Sequence, residues 1–185
     1  MKRNLSKIAF CLAGAALVAT GATAAQHNPR VGGAAMYPTR NIVQNAMNSK
    51  DHTTLVAAVK AAGLVQTLSG PGPFTVFAPT NAAFAKLPAG TVQMLVRPEN
   101  KAKLTSILTY HVVAGRISAG DIAAKAAKHG GKATYATVNG GTLTFSKHGH
   151  GWWVWDAKGG KARITIADVG QSNGVIHVID TVLMP

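Results

Sequence analysis

At Gly130-Gly131 the hydrophobic rhythm of this chain changes, and that change limits the folds open to it. Before the glycine pair, apolar residues recur at helical spacing: Ile42, Val43, Ala46 and Met47 in one segment, Leu55, Val56, Val59 and Ala62 in the next, and Leu104, Ile107 and Leu108 further on. After it they follow a period of two, from Ala133 to Val138, Thr142 to Ser146, Trp152 to Asp156, Arg163 to Val169 and Val175 to Leu183. Three of the breaks between these runs have hairpin chemistry: Asn139-Gly140-Gly141, Ala157-Lys158-Gly159-Gly160 and Gln171-Ser172-Asn173-Gly174. Helices gathered in one half and antiparallel strands in the other predict an α+β domain, because alternating βαβ units would interleave the two periods.

One strand is expected among the helices. Pro71-Gly72-Pro73 turns the chain into Phe74-Thr75-Val76-Phe77-Ala78, a β-rich run that reads as a buried strand ended by Pro79. Thr80 then caps a helix carrying Phe84 and Leu87, and Thr91 to Val96 forms another short helical turn. Pro98 and Glu99 open a longer helix, since proline suits the first helical position and an acid suits the positive end of the dipole. Ser118 and Asp121 form a capping box for an Ala-rich helix to about Lys128.

The amino terminus has a different character. Lys2, Arg3 and Lys7 precede an apolar stretch from Ile8 to Val18, and Ala22-Thr23-Ala24 supplies small residues for cleavage. This is a secretory signal peptide over residues 1–25, cut near Ala24 and Ala25, and it places the mature protein in a periplasm or outside the cell. The stretch is too short for a membrane span, and nothing later reaches the roughly 18 apolar residues a span needs. Residues 26–38 contain two prolines and no periodicity, which predicts a flexible leader arm and leaves 39–185 as one domain. The single cysteine, Cys11, belongs to the signal, so the mature chain is expected to have no disulfide, thiol nucleophile or thiolate metal site.

Charge narrows the partners. Beyond the signal, 16 Lys and Arg face six acids, a balance of +10. The cations are scattered, with no zinc-finger spacing or helix-turn-helix pattern, so attraction to anionic polymers, surface glycans or lipid headgroups is expected rather than recognition of nucleic acid. Asp51, Glu99, Asp121, Asp156, Asp168 and Asp180 include no close pair for acid–base work, and neither a nucleophile elbow nor a phosphate-cradling glycine loop is present. The expectation is a non-catalytic protein without a cofactor, of oligomeric state that the sequence leaves open.

Three clusters stand out. His148-Gly149-His150, read as an extended segment, would aim two imidazoles the same way, but it has no third ligand at short spacing, so no metal site is expected. His111 and His177 lie in apolar, strand-like runs and read as buried, hydrogen-bonded groups. Trp152-Trp153-Val154-Trp155, as a strand, puts Trp153 and Trp155 on one face and Trp152 with Val154 on the other. Flanked by Lys147, Lys158 and Lys161, the tryptophans form a candidate aromatic patch.

Three stretches carry a family resemblance. Gly72-Pro73-Phe74-Thr75-Val76-Phe77-Ala78-Pro79-Thr80-Asn81-Ala82-Ala83-Phe84 resembles the first signature block of the fasciclin domain, and Ser172-Asn173-Gly174-Val175-Ile176-His177-Val178-Ile179-Asp180 resembles its last. Leu108-Thr109-Tyr110-His111-Val112-Val113 is similar to the tyrosine-histidine segment between them. The resemblance, to a bacterial, secreted single-domain member, implies a compact β-wedge or sandwich of mainly antiparallel strands packed with several helices. It also implies adhesion to a cell-surface or matrix protein or polysaccharide. In animal matrix members an Asp-Ile pair and the tyrosine-histidine segment are linked to integrin binding; the matching positions are Asp168, Val169, Tyr110 and His111, with Val169 in place of Ile and Ala167 where Pro is common. Some fasciclin-like proteins bind pigments, which implies the alternative of a soluble carrier of an apolar or aromatic small molecule, its pocket formed by the Trp cluster and the Phe-lined first block. Thr75, Thr80 and Asn81 of the first block read as turn and cap residues.

Overall fold

A computed structural model describes residues 28–185; the expected signal peptide lies outside the described residues. Seven α-helices and seven strands follow. Helices α1 (Ile42–Asn48), α2 (Thr53–Ala62) and α3 (Val65–Ser69) precede β1 (Phe74–Pro79). Then come α4 (Asn81–Ala85), α5 (Thr91–Leu95), α6 (Lys101–Tyr110), β2 (Val112–Ala114) and α7 (Ala119–Lys128). The second half is β3 (Lys132–Ala136), β4 (Thr142–His148), β5 (Gly151–Trp155), β6 (Lys161–Gln171) and β7 (Gly174–Ile179).

Caps account for the helix boundaries. The Asn41 side chain accepts from Gln44 N at 2.8 Å while Gln44 answers to Asn41 N at 3.0 Å, and Ser118 with Asp121 closes the same reciprocal box on α7. Thr80 Oγ1 accepts from Ala83 N at 3.2 Å, as expected of a cap. Gly63, at φ 74°, ends α2 in the left-handed conformation that glycine adopts without strain.

The strands form one seven-stranded sheet in the order β2-β1-β7-β6-β5-β4-β3. All neighbours are antiparallel except β1 and β7, which pair in parallel from Phe74 opposite Gly174 to Pro79 opposite Ile179. The two outer signature blocks thus become adjacent central strands, buried on both faces, which explains their unbroken apolar runs. Val138 N donates to Val112 O at 2.8 Å, so the chain beyond β3 meets β2 and the sheet curls almost into a barrel.

Two cores result. A helix-facing core takes Val76 and Ala78 from β1, Ile176 and Val178 from β7, and the inner faces of α1, α2 and α6. An interior core, inside the curled sheet, takes Phe77, Tyr110, Ile122, Leu143, Phe145, Val154 and Ile179. Strand β6 serves both, Ala162 and Ile164 turning inward and Ile166 and Val169 toward the helices. Irregularities between Ile164 and Ile166 and between Ile166 and Val169 make the switch, since an extra residue flips the side chains that follow to the other face.

Several local expectations are corrected. Residues 28–38, expected to form a flexible arm, pack on the domain. Val31 and Met36 are buried in the helix-facing core, Asn28 exchanges two side-chain hydrogen bonds with the Gly170 backbone, and Asn45 bonds both backbone groups of Tyr37. Aperiodic sequence gave no sign of them because the anchoring is by side-chain amides rather than by a ladder. Tyr110 and His111 are the last residue and C-cap of α6, not part of a strand, and only Val112–Ala114 is extended. His148-Gly149-His150 is not an extended run either: His148 opposes Gly151 and Gly149 has φ 59°, so the segment is a two-residue hairpin turn. Helix α3 has no counterpart among the sequence expectations; at five residues it is too short to display a period.

Candidate functional site

The Tyr110-His111 segment lies where α6 delivers the chain into the curled sheet. Tyr110 is wholly buried; its hydroxyl donates to Thr142 O at 2.8 Å and accepts from Ala157 N at 3.0 Å, tying α6 to the starts of two hairpins. Burial raises its phenol above the usual tyrosine value. His111, also buried, donates from Nδ1 to Ile107 O at 2.8 Å and accepts at Nε2 from Leu183 N at 3.0 Å. A carbonyl can only accept and an amide only donate, so this pairing fixes one neutral tautomer. Burial depresses its imidazole from 6.5 to about 4.

Asp168 and Val169 stand two strands away, since β1 and β7 separate β2 from β6. Val169 is buried in the helix-facing core; Asp168 is exposed, in the second irregularity of β6, at φ 58°. Asp tolerates that left-handed conformation better than most residues. Its Oδ1 accepts from Ala119 N at 2.8 Å, the first helical amide of α7, where an anion is favoured. Its own N–H reaches His177 Nδ1 at 3.3 Å, and His177 Nε2 donates to Ile117 O at 2.9 Å. His177 is wholly buried against Phe77, ring centroids 5.4 Å apart, and burial lowers its pKa. The four residues nominated by resemblance therefore do not meet in one cleft, and Asp168 alone is exposed. Both nitrogens of each histidine are committed to the backbone, leaving neither free to move a proton at a ligand.

The tryptophans divide as the strand period requires. Trp152 packs on the interior core beside Val154, while Trp153 and Trp155 turn outward, half-buried, and join neither core. Cross-strand register builds two rows on this outer face: Ser146, Trp153 and Arg163, then Thr144, Trp155 and Lys161. Lys161 Nζ lies 5.4 Å from the Trp153 ring centroid and 5.7 Å from that of Trp155. Trp155 Nε1 donates to Ser146 Oγ at 2.8 Å, and the His148 ring sits 6.1 Å from the Trp155 ring. Of the flanking lysines expected here, Lys161 is on this face; Lys147 opposes Trp152, and Lys158 lies in the turn after Asp156. Arg163 was missed. Its place followed from the pairing of β5 with β6, legible only once the turn at Gly149-His150 set the register of β5.

A small, almost wholly apolar cavity of about 40 Å³ lies between α1, α2, α3, α6 and β1, with Phe77 of the first block in its wall and none of the tryptophans. Val59, Leu68, Val76 and Leu108 line it, with His111 and Lys60 its polar neighbours. Among the described residues no group of three His, Cys, Asp or Glu could hold a metal ion, and no helix is long and apolar enough to cross a membrane.

The residues of the first and last blocks act as clips. Asn173 accepts from Ile42 N at 3.0 Å and donates to Leu68 O and Gly70 O, joining the last block to α1 and α3. A Cβ at Gly174 would collide with the Phe74 carbonyl, so the close parallel approach of β1 and β7 requires glycine there. Thr75 Oγ1 donates to Gly115 O at 2.7 Å and accepts from Ile117 N at 2.9 Å, and Asn81 holds Thr54 N and Lys50 O.

Comparison with known proteins agrees with this architecture. The chain is 52% identical over 145 residues to Protein sll1483 of Synechocystis, covering 78% of this chain and 73% of that one. It is 40% identical to immunogenic protein MPB70 of Mycobacterium bovis, over 76% of this chain and 66% of that one, and 39% identical to the cell surface glycolipoprotein MPB83, also of Mycobacterium bovis, over 76% and 58%. A solved FAS1 domain pair from the insect cell adhesion molecule fasciclin I shares the fold, with a TM-score of 0.69 at 18% identity, over 79% of this chain and 51% of that one. The family model described as the fasciclin domain matches residues 50–185, clips and central strands included, and the chain belongs to the fasciclin-domain family.

Proposed function

We propose that this protein is an exported, non-catalytic binding module that holds cell-surface or extracellular-matrix polymers. The observation that carries the reading is the charge of the chain beyond residue 25: +10, with one ion pair among the described residues, Lys86 to Asp180 at 3.8 Å. A surface that does not neutralise itself attracts anionic polymers. The committed histidines support the absence of acid–base chemistry. The relatives support a surface role, one being a cell surface glycolipoprotein and the structural neighbour a cell adhesion molecule. Within this reading Asp168 is the contact residue of the β6–α7 corner, and Tyr110, His111 and Val169 hold the strands behind it. The test is binding of the purified mature protein to its own cells and their matrix across a salt series. Saturable binding that survives about 0.5 M salt, where screening acts within a few Å, supports an adhesive surface. Binding that disappears means a generic polycation.

A second reading, a soluble carrier of an apolar or aromatic small molecule, requires the apolar cavity of about 40 Å³ between the helices and β1 to open, since small-molecule pockets run to roughly 300 Å³ or more. Protein taken from its native envelope with a visible absorption band or a tightly bound extra mass supports it; colourless protein of unliganded mass removes it.

A further inference from the structure

We propose that the outer face of β4, β5 and β6 binds an acidic polysaccharide bearing uronate carboxylates, with Trp153 and Trp155 as its stacking platform and Lys161 and Arg163 as its carboxylate ligands. This rests on the reading of the protein as an exported polymer-binding module and names the chemistry of its polymer.

Four observations converge on that face. First, two indoles stand side by side on one strand, two residues apart, outside both hydrophobic cores. Tryptophan rings left half-buried on a sheet present flat apolar surfaces that sugar rings, with their C–H faces, can cover. Second, the polar edge of Trp155 is already satisfied by Ser146, whereas Trp153 Nε1 donates to nothing among the described residues and is free for a hydroxyl. Third, the rings are bordered by cations: Lys161 between them, Arg163 opposite Trp153, and Lys132 on the far side of Ser146. Fourth, nothing among the described residues neutralises these cations. Asp156 spends Oδ1 on Lys158 N and Gly160 N and Oδ2 on Met184 N, while Asp180 pairs with Lys86 and accepts at 2.9 Å from the backbone N–H of Arg163, not from its guanidinium.

The composition of the face selects among anionic polymers. Beside the rings stand Thr144 and Thr134, hydroxyls suited to sugar hydroxyls, rather than projecting Leu, Ile or Phe that would enter a bilayer. Arginine beside a ring platform matches a carboxylate through two parallel N–H donors, while Lys161 supplies a point charge without demanding one geometry. Alternating pyranose faces and carboxylates along one chain offer both groups at once.

The chain has three tryptophans, all in β5, so tryptophan fluorescence, excited beyond the tyrosine band, reports on this strand alone. The experiment titrates the mature protein with polygalacturonate, with its methyl ester, with oligo(dT) and with phosphatidylglycerol vesicles, and repeats the first titration on Trp153→Ala and Lys161→Glu. Saturable binding of polygalacturonate with a fluorescence change is expected, weakened about tenfold or more by either substitution and by esterification. Because Trp153→Ala removes a half-buried ring, Lys161→Glu, at an exposed position, separates binding from folding when circular dichroism is unchanged. Equal affinity for oligo(dT) or for vesicles, or undiminished binding by Lys161→Glu, overturns the assignment. Attachment to the protein's own cells without affinity for polygalacturonate overturns it too while leaving the polymer-binding reading in place; failure to bind either overturns both.

Discussion

Tyr110 and Trp155 are both large aromatic residues whose polar edge is satisfied within the protein, at 2.8 Å to Thr142 O in one case and to Ser146 Oγ in the other, and they end in opposite situations. Tyr110 comes off the end of α6 into the closed interior of the sheet, whereas Trp155 sits on the strand period that faces outward. The first belongs to a stretch that resembles the family's tyrosine-histidine segment; the second belongs to no signature block. The contrast teaches that residues shared across a family of surface proteins can be shared because they hold the fold. The chemistry offered to a partner can lie where the family pattern says nothing.

That contrast can be broken in four ways, in order of expected effect. Tyr110→Ala should cost about 4 kcal/mol in urea unfolding, combining the loss of a buried ring with two unpaired backbone groups. A loss below about 1 kcal/mol would place Tyr110 outside the core. Acid should come next. The unfolded imidazole of His111 protonates near 6.5 and the folded one near 4, so the unfolded state binds more protons between these values. Stability should therefore be flat above about pH 6.5 on this account and fall by about 3 kcal/mol as pH drops toward 4. His52 and His177 act in the same direction, each lowered chiefly by burial. His111→Gln, read by thermal melting against pH, should flatten part of that slope.

Asp168→Ala should cost about 1 kcal/mol, for it removes the acceptor of Ala119 N and puts alanine at φ 58°. Asp168→Asn should recover most of that loss in stability while a cell-attachment assay reads the lost charge. Lys161→Glu should leave stability within about 0.5 kcal/mol, being exposed and unpaired by any described carboxylate. A large destabilisation there would mean that its position over the two indoles is structural.

Much of the architecture was legible in the residues. Periodicity separated helices from strands, capping chemistry located α4 and α7, and the strand period assigned the faces of Trp152, Trp153 and Trp155. The parallel pairing of β1 with β7 was not, because it joins segments about 100 residues apart and a buried strand reads alike in either direction. The bulges of β6, which bring Asp168 to the surface while Val169 stays inside, leave no hydrophobic signature. Of the candidate site, the buried state of the histidines followed from their apolar surroundings. The separation of Tyr110-His111 from Asp168 required the strand order, and the partnership of Arg163 with Trp153 required the register.

The claim that Tyr110-His111 acts within the fold is tested most directly by following the imidazole resonances of His111 by NMR across pH. A neutral ring carrying its proton on Nδ1 and persisting until about pH 4, with its amide partner Leu183 protected from exchange, is the result expected. A midpoint near 6.5 with rapid exchange at Leu183 would contradict it, and would return the tyrosine-histidine segment to the surface as a contact site.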